Sequence, residues 1–72
     1  LRELQKYLKD LSTIQRDILI LRLWQELPYK EIAEIVGKSE ANSKMIYSRA
    51  IAQLRATVPP HLFALLLLSI HV

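Results

Sequence analysis

The sequence predicts an all-α domain of four helices containing a helix-turn-helix, with an apolar helix added after it. Three observations predict this. One glycine and three prolines in 72 residues are too few turn formers for an all-β chain. Apolar residues recur at helical spacing in three successive stretches, each followed by a cap or breaker. Apolar residues make up 51% of the chain, which suits a packed core, and the length allows a single small domain. There is no cysteine, and His61 and His71 cannot close a metal site alone, so neither a disulfide nor a structural zinc can staple that core. No cofactor is expected. Helix packing and a partner surface must supply the stability.

Leu4, Tyr7, Leu8 and Leu11 stand at i, i+3, i+4 and i+7, the stripe of a short first helix. Ser12 follows, with Gln15 three residues later, the spacing of a capping box. Behind that cap Ile14, Ile18 and Leu21 share one face, widened by Leu19, Ile20, Leu23 and Trp24. Only Arg22 interrupts residues 18–24, so this helix is expected to be covered on several sides and to form the centre of the core. Arg22 itself is expected to pair with Glu26 one turn on, although its stem is long enough to carry the charge to a phosphate. Trp24 and Tyr47 are read as core residues.

Glu26-Leu27-Pro28 is expected to end the second helix, because a proline disfavours helix at its predecessor. Tyr29, Ile32, Ala33 and Val36 repeat the apolar stripe over about two turns. Gly37 comes next, suited to the left-handed conformation that closes a helix. Ser39 is the following N-cap candidate, and residues 40–55 contain no breaker. A short helix, a glycine-bearing turn and a longer helix give the outline of a helix-turn-helix.

Thr57-Val58-Pro59-Pro60 should stop the long helix, since two prolines cannot continue it. Residues 61–70 are then apolar on every face. Such a helix reaches roughly 15 Å, half of what a membrane span requires, and it lacks the lysines of an interfacial helix. No membrane association is expected. The chain is therefore divided into a helix-turn-helix domain, residues 1–57, and an apolar helical tail, residues 58–72. That tail is expected to lie between its own domain and another protein surface, with a homodimer through the tail as the form taken by the isolated chain.

Charge is distributed in blocks. Residues 1–37 carry six basic and six acidic side chains; residues 38–55 carry four basic ones (Lys38, Lys44, Arg49, Arg55) against Glu40; residues 56–72 carry none. The whole formal charge of +3 thus falls on the long helix and the turn before it. A cationic helix in this setting fits the major groove of B-DNA and releases phosphate counterions. No catalytic function is expected: no residue set has the local signature of an activated nucleophile, and one glycine cannot build a phosphate-cradling loop.

Residues 11–55 resemble region 4 of the sigma factors of bacterial RNA polymerase, the extracytoplasmic-function type above all. The resemblance is carried by Leu11-Ser12-Thr13-Ile14-Gln15-Arg16, by Leu21-Arg22-Leu23, and by Leu27-Pro28-Tyr29-Lys30-Glu31-Ile32-Ala33-Glu34-Ile35-Val36-Gly37. Ser39-Glu40, Lys44 and Ser48-Arg49-Ala50-Ile51-Ala52-Gln53-Leu54-Arg55 complete it. It implies a domain that binds the promoter −35 element with the second helix of the motif, contacts core RNA polymerase, and in many cases meets an anti-sigma factor. A cytoplasmic location is the default expectation, since no signal-peptide pattern appears at the start and no stretch approaches the length of a membrane span. The chain begins at Leu1 rather than methionine, which allows an N-terminal domain to precede it.

The residues assigned to DNA are Lys38, Ser39, Asn42, Lys44, Met45, Ser48 and Arg49. Lys44 is read as a phosphate or base contact. Arg49 stands equally for a contact or a structural helix residue, and Asn42 for a base contact or a first-turn backbone bond. Four positions depart from the family pattern: Pro28 replaces a usual Ser or Thr, Lys38 and Ser43 replace apolar residues, and Ile46 replaces a polar one. The output domains of two-component response regulators are built on a similar module and are the alternative DNA-binding reading. A protein-interaction module of the same fold, without base reading, is the alternative from another class.

Overall fold

The computed structural model describes the backbone of residues 2–68 and the side chains of residues 5–68. Five helices follow in chain order: α1 (Arg2–Leu8), α2 (Thr13–Leu23), α3 (Tyr29–Val36), α4 (Glu40–Thr57) and α5 (Pro60–Leu68). The fold is all-α among the described residues, as the sequence predicts. The side chain of Leu4 and residues 69–72, with Ile70 and His71, lie outside the description.

Local chemistry sets most of the boundaries. Although α1 ends at Leu8, Asp10 and Leu11 donate their N–H groups to the carbonyls of Tyr7 and Leu8 at 3.2 Å. This tighter i→i−3 turn carries Leu11 into the core. At the start of α2 the capping box is complete: Gln15 N–H donates to Ser12 Oγ at 3.2 Å, and Ser12 N–H donates to Gln15 Oε1 at 3.0 Å. Ser12→Ala is expected to cost about 1 kcal/mol and to lower Tm by roughly 4–8 °C for a domain of this size. A melt within 1–2 °C of the unmodified protein would show that the cap contributes nothing to the cooperative unit.

The end of α2 corrects the sequence reading. The helix stops at Leu23, five positions before Pro28, and the chain reverses through Glu26, whose φ is 53°. Proline restrains only the residue before it; the left-handed Glu26, with Leu27 N–H bonded to the Leu21 carbonyl at 3.1 Å, makes the turn. At the other turn Gly37 adopts φ 70°, the conformation expected of it.

The core gathers Leu11, Leu19, Leu23, Ala50, Leu54, Val58, Leu62 and Leu66. Ile18, Ile32 and Ala33 are buried as well. In place of α2, however, α4 is the hub: it packs against each of the other four helices. Its 18 residues span about 27 Å, against about 17 Å for α2, so only α4 is long enough to meet all of them. Its small residues Ser43 and Ala50 are fully buried. Two expected core contributions of α2 are absent, since Ile20 is 38% and Trp24 42% exposed. Leu21 is only half-buried. The domain buries Ile18, Leu19 and Leu23 of α2 and leaves Ile20 and Trp24 exposed.

Ser43, expected to be a departure from the apolar pattern of the resemblance, is fully buried, and its hydroxyl donates to the Ser39 carbonyl at 2.9 Å. The hydroxyl therefore carries no desolvation penalty there. Pro28 precedes α3 without a side-chain cap. The added helix α5 reaches the core with Leu62 and Leu66, and Phe63 packs against it. Leu65, Leu67 and Leu68 face outward at 48%, 41% and 59% exposure.

Candidate nucleic-acid interface

Ser39 starts α4 by accepting the Asn42 N–H at 3.0 Å. This fixes the helix phase, and with it the direction of every side chain that follows. Ser43, Ala50 and Leu54 face the core. At about 100° per residue, the opposite face carries Asn42, Met45 and Arg49 on one stripe and Lys44 with Ser48 on its flank. Lys38, Ser39, Asn42, Lys44, Met45, Ser48 and Arg49 are all exposed. Ser39 differs from the others in having its hydroxyl engaged as the cap. The backbone N–H of Asn42 makes the first-turn bond, and its side chain forms none among the described residues.

The fourth cation of the basic segment is drawn away from this face. The Arg55 guanidinium lies 5.7 Å from the Phe63 ring centroid, where it joins α4 to α5. Lys38, Lys44 and Arg49 remain exposed on the helix and the turn before it.

Two further residues, unassigned to DNA by sequence reasoning, gather beside Lys44. Its ammonium lies 5.7 Å from the centroid of the Tyr29 ring, at the first residue of α3. Arg22 of α2 lies 4.6 Å from the same centroid. The expected Arg22–Glu26 pair is not formed: the guanidinium donates instead to the Leu27 carbonyl at 3.1 Å. The left-handed turn at Glu26 presents that carbonyl to Arg22. Tyr47 stands edge-on to Tyr29, with centroids 6.0 Å apart and planes at 71°. Burial, reinforced by Tyr29 and opposed by Arg22, raises the Tyr47 phenol above its usual range, so it keeps its proton. An arginine one helix before the motif has no sequence signal for this meeting; the contact exists because α2, α3 and α4 converge there.

A second feature lies between α2 and α3. Ile14, Ile20, Leu21, Ile35 and Val36, with Asp17, line an open apolar groove of about 340 Å³. Ile35 is 60% exposed.

A short helix, a left-handed glycine turn and a longer helix with a polar, cationic outer face define a helix-turn-helix DNA-binding domain. Residues 1–54, three quarters of the chain, match the family model described as sigma-70, region 4. The chain belongs to that family, the DNA-binding, RNA polymerase-associated part of sigma factors that regulates transcription. This membership sets aside the response-regulator reading. Searches of curated proteins and of solved structures find no match. The match ends at Leu54, within the last turn of α4, and does not take in α5. No helix among the described residues is long and apolar enough to cross a membrane.

Proposed function

We propose that this domain recognises the promoter −35 element as part of a sigma factor of the extracytoplasmic-function type, working in the cytoplasm with core RNA polymerase. In this reading α4 lies in the major groove. Lys38, Lys44 and Arg49 meet phosphates or base edges, and Ser39, Asn42, Met45 and Ser48 border the bases. The observation that supports it best is the placement of the whole net charge on α4 and the turn before it, with Lys38, Lys44 and Arg49 exposed. The apolar α2–α3 groove is the surface proposed for the polymerase, with an anti-sigma factor as a competitor for it. Residues 1–57 form the functional module and residues 58–72 an appendage with its own contact.

Three cations can neutralise about three phosphates, so the isolated domain should bind DNA weakly, with a slope of log affinity against log salt near −3. Fluorescence anisotropy of a labelled duplex across a salt series measures it. Lys44→Ala should flatten the slope by about one. Affinity that ignores salt, or full binding by the Lys44→Ala, Arg49→Ala double variant, would remove α4 from the DNA surface. Preference for a −35 sequence over an arbitrary duplex separates base reading from the interaction-module alternative.

For the outer face of α5 we propose a second copy as occupant. Residues 56–68 carry no charged side chain, unlike the outer faces of α2, α3 and α4. An uncharged partner is required, and the same face on another molecule meets that requirement through a two-fold axis. Changing Leu65 and Leu68 to Ser should give a monomer with unchanged helicity and salt-dependent DNA binding. Strictly monomeric behaviour of the unmodified chain at high concentration, by light scattering, would overturn the dimer.

A further inference from the structure

Residues 1–37 are neutral as a whole, but their charge is split along the chain. Residues 1–16 hold four cations, Arg2, Lys6, Lys9 and Arg16, against Glu3 and Asp10, a net +2. Residues 17–37 hold two cations against four acids, a net −2. Within the basic part, Gln5, Leu8, Lys9 and Arg16 line a small cavity of about 210 Å³ between α1 and α2. Gln5, Leu8 and Lys9 stand at i, i+3 and i+4, one side of a helix. The Lys9 N–H still donates to the Gln5 carbonyl at 3.1 Å, so the helical phase holds through Lys9. Arg16 meets them from the start of α2 and is half-buried. Neither Lys9 nor Arg16 forms an ion pair among the described residues. Asp17, next to Arg16, lines the α2–α3 groove instead, and α2 has no acid in its first turn.

The size of the cavity selects its ligand. Sites for cofactor- or drug-sized molecules run from about 300 to 1,000 Å³, and this one is smaller. One acidic side chain is the right size. Its carboxylate can take two parallel bonds from the Arg16 fork, with Lys9 and the Gln5 amide as further donors and Leu8 against its methylenes. We propose that this cavity receives a glutamate side chain of an acidic protein segment, held by Arg16, Lys9 and Gln5. Lys6, exposed on the same helix, extends the positive surface to flanking acids of that segment. The site shares no residue with the α4 outer face or with the α2–α3 groove, and it stands independently of the DNA-binding reading.

The test is a nuclear magnetic resonance titration of the full chain, at low ionic strength, with hexaglutamate blocked at both ends. The Arg16 Nε–H and Gln5 side-chain amide resonances should shift saturably, and blocked hexaglutamine should leave them in place. Arg16→Gln and Lys9→Gln should each weaken hexaglutamate binding about tenfold, the loss of a charge-assisted bond. Lys30→Gln, which removes the same charge from α3, should leave it unchanged. Equal shifts with hexaglutamine, or an equal loss from Lys30→Gln, would overturn the site. Equal binding of inorganic phosphate would make it a general anion site and overturn the assignment to a peptide. If Arg16→Gln and Lys9→Gln each flatten the salt slope of duplex binding by about one while hexaglutamate binding is unmoved, the surface belongs to DNA and the proposal fails. Circular dichroism checks folding. Should Arg16→Gln unfold, Lys9→Gln, at an exposed position beyond the end of α1, decides by the same tenfold criterion.

Discussion

Ile18→Ala is expected to leave the protein largely unfolded at room temperature. Ile18 has no solvent exposure, and removing its outer carbons from a packed interior costs roughly 2–5 kcal/mol in transfer and cavity terms. A domain below about 80 residues without disulfide or metal holds some 3–5 kcal/mol in total. Loss and reserve are the same size. Leu21→Ala, on the same helix, should cost much less, because Leu21 is half-buried at the lip of the α2–α3 groove. Urea unfolding followed by circular dichroism ranks the two. If Leu21→Ala proves the more damaging, the groove is closed in solution and α2 is rotated from the position described.

Leu66→Ala should approach the effect of Ile18→Ala, although Leu66 lies beyond the part of the chain that matches the family. Leu66 is 1% exposed within the same cluster as Leu19, Leu54 and Val58. Its truncation should cost about 2–5 kcal/mol. Leu65 is 48% exposed in the monomer, and Leu65→Ser should leave the unfolding curve of dilute protein almost unmoved. Together the two variants separate the inward face of α5, which stabilises the domain, from its outward face, which is available to a partner. Equal losses from both would mean that α5 is covered on both sides even in the dilute chain.

Patterns that act over a few residues were legible in advance. The Ser12–Gln15 capping box, the Ser39 cap, the Gly37 turn and the stop at the two prolines depend on hydrogen bonds and dihedral restrictions within about four residues. A single sequence states those directly. The stripe Tyr29, Ile32, Ala33 and Val36 was legible for the same reason. The apolar run 18–24 was not, because it offers three possible faces. Which of them a small domain can cover depends on neighbours, and so Trp24 and Ile20 remain exposed.

The sequence by itself determined the helical class, the helix-turn-helix and the concentration of positive charge on α4. Each of these follows from local spacing or from counting. Only the tertiary structure decided that α4 is the hub, since that depends on relative helix lengths and on which helices come together in space. It decided that Arg55 turns to Phe63 and that Arg22 leaves Glu26 for Leu27 and Tyr29. A long cationic side chain chooses among partners within reach in space, and its sequence neighbours are only some of them. Burial of half of α5 was likewise a tertiary outcome: a helix apolar on all sides carries no mark of which side its own domain will cover.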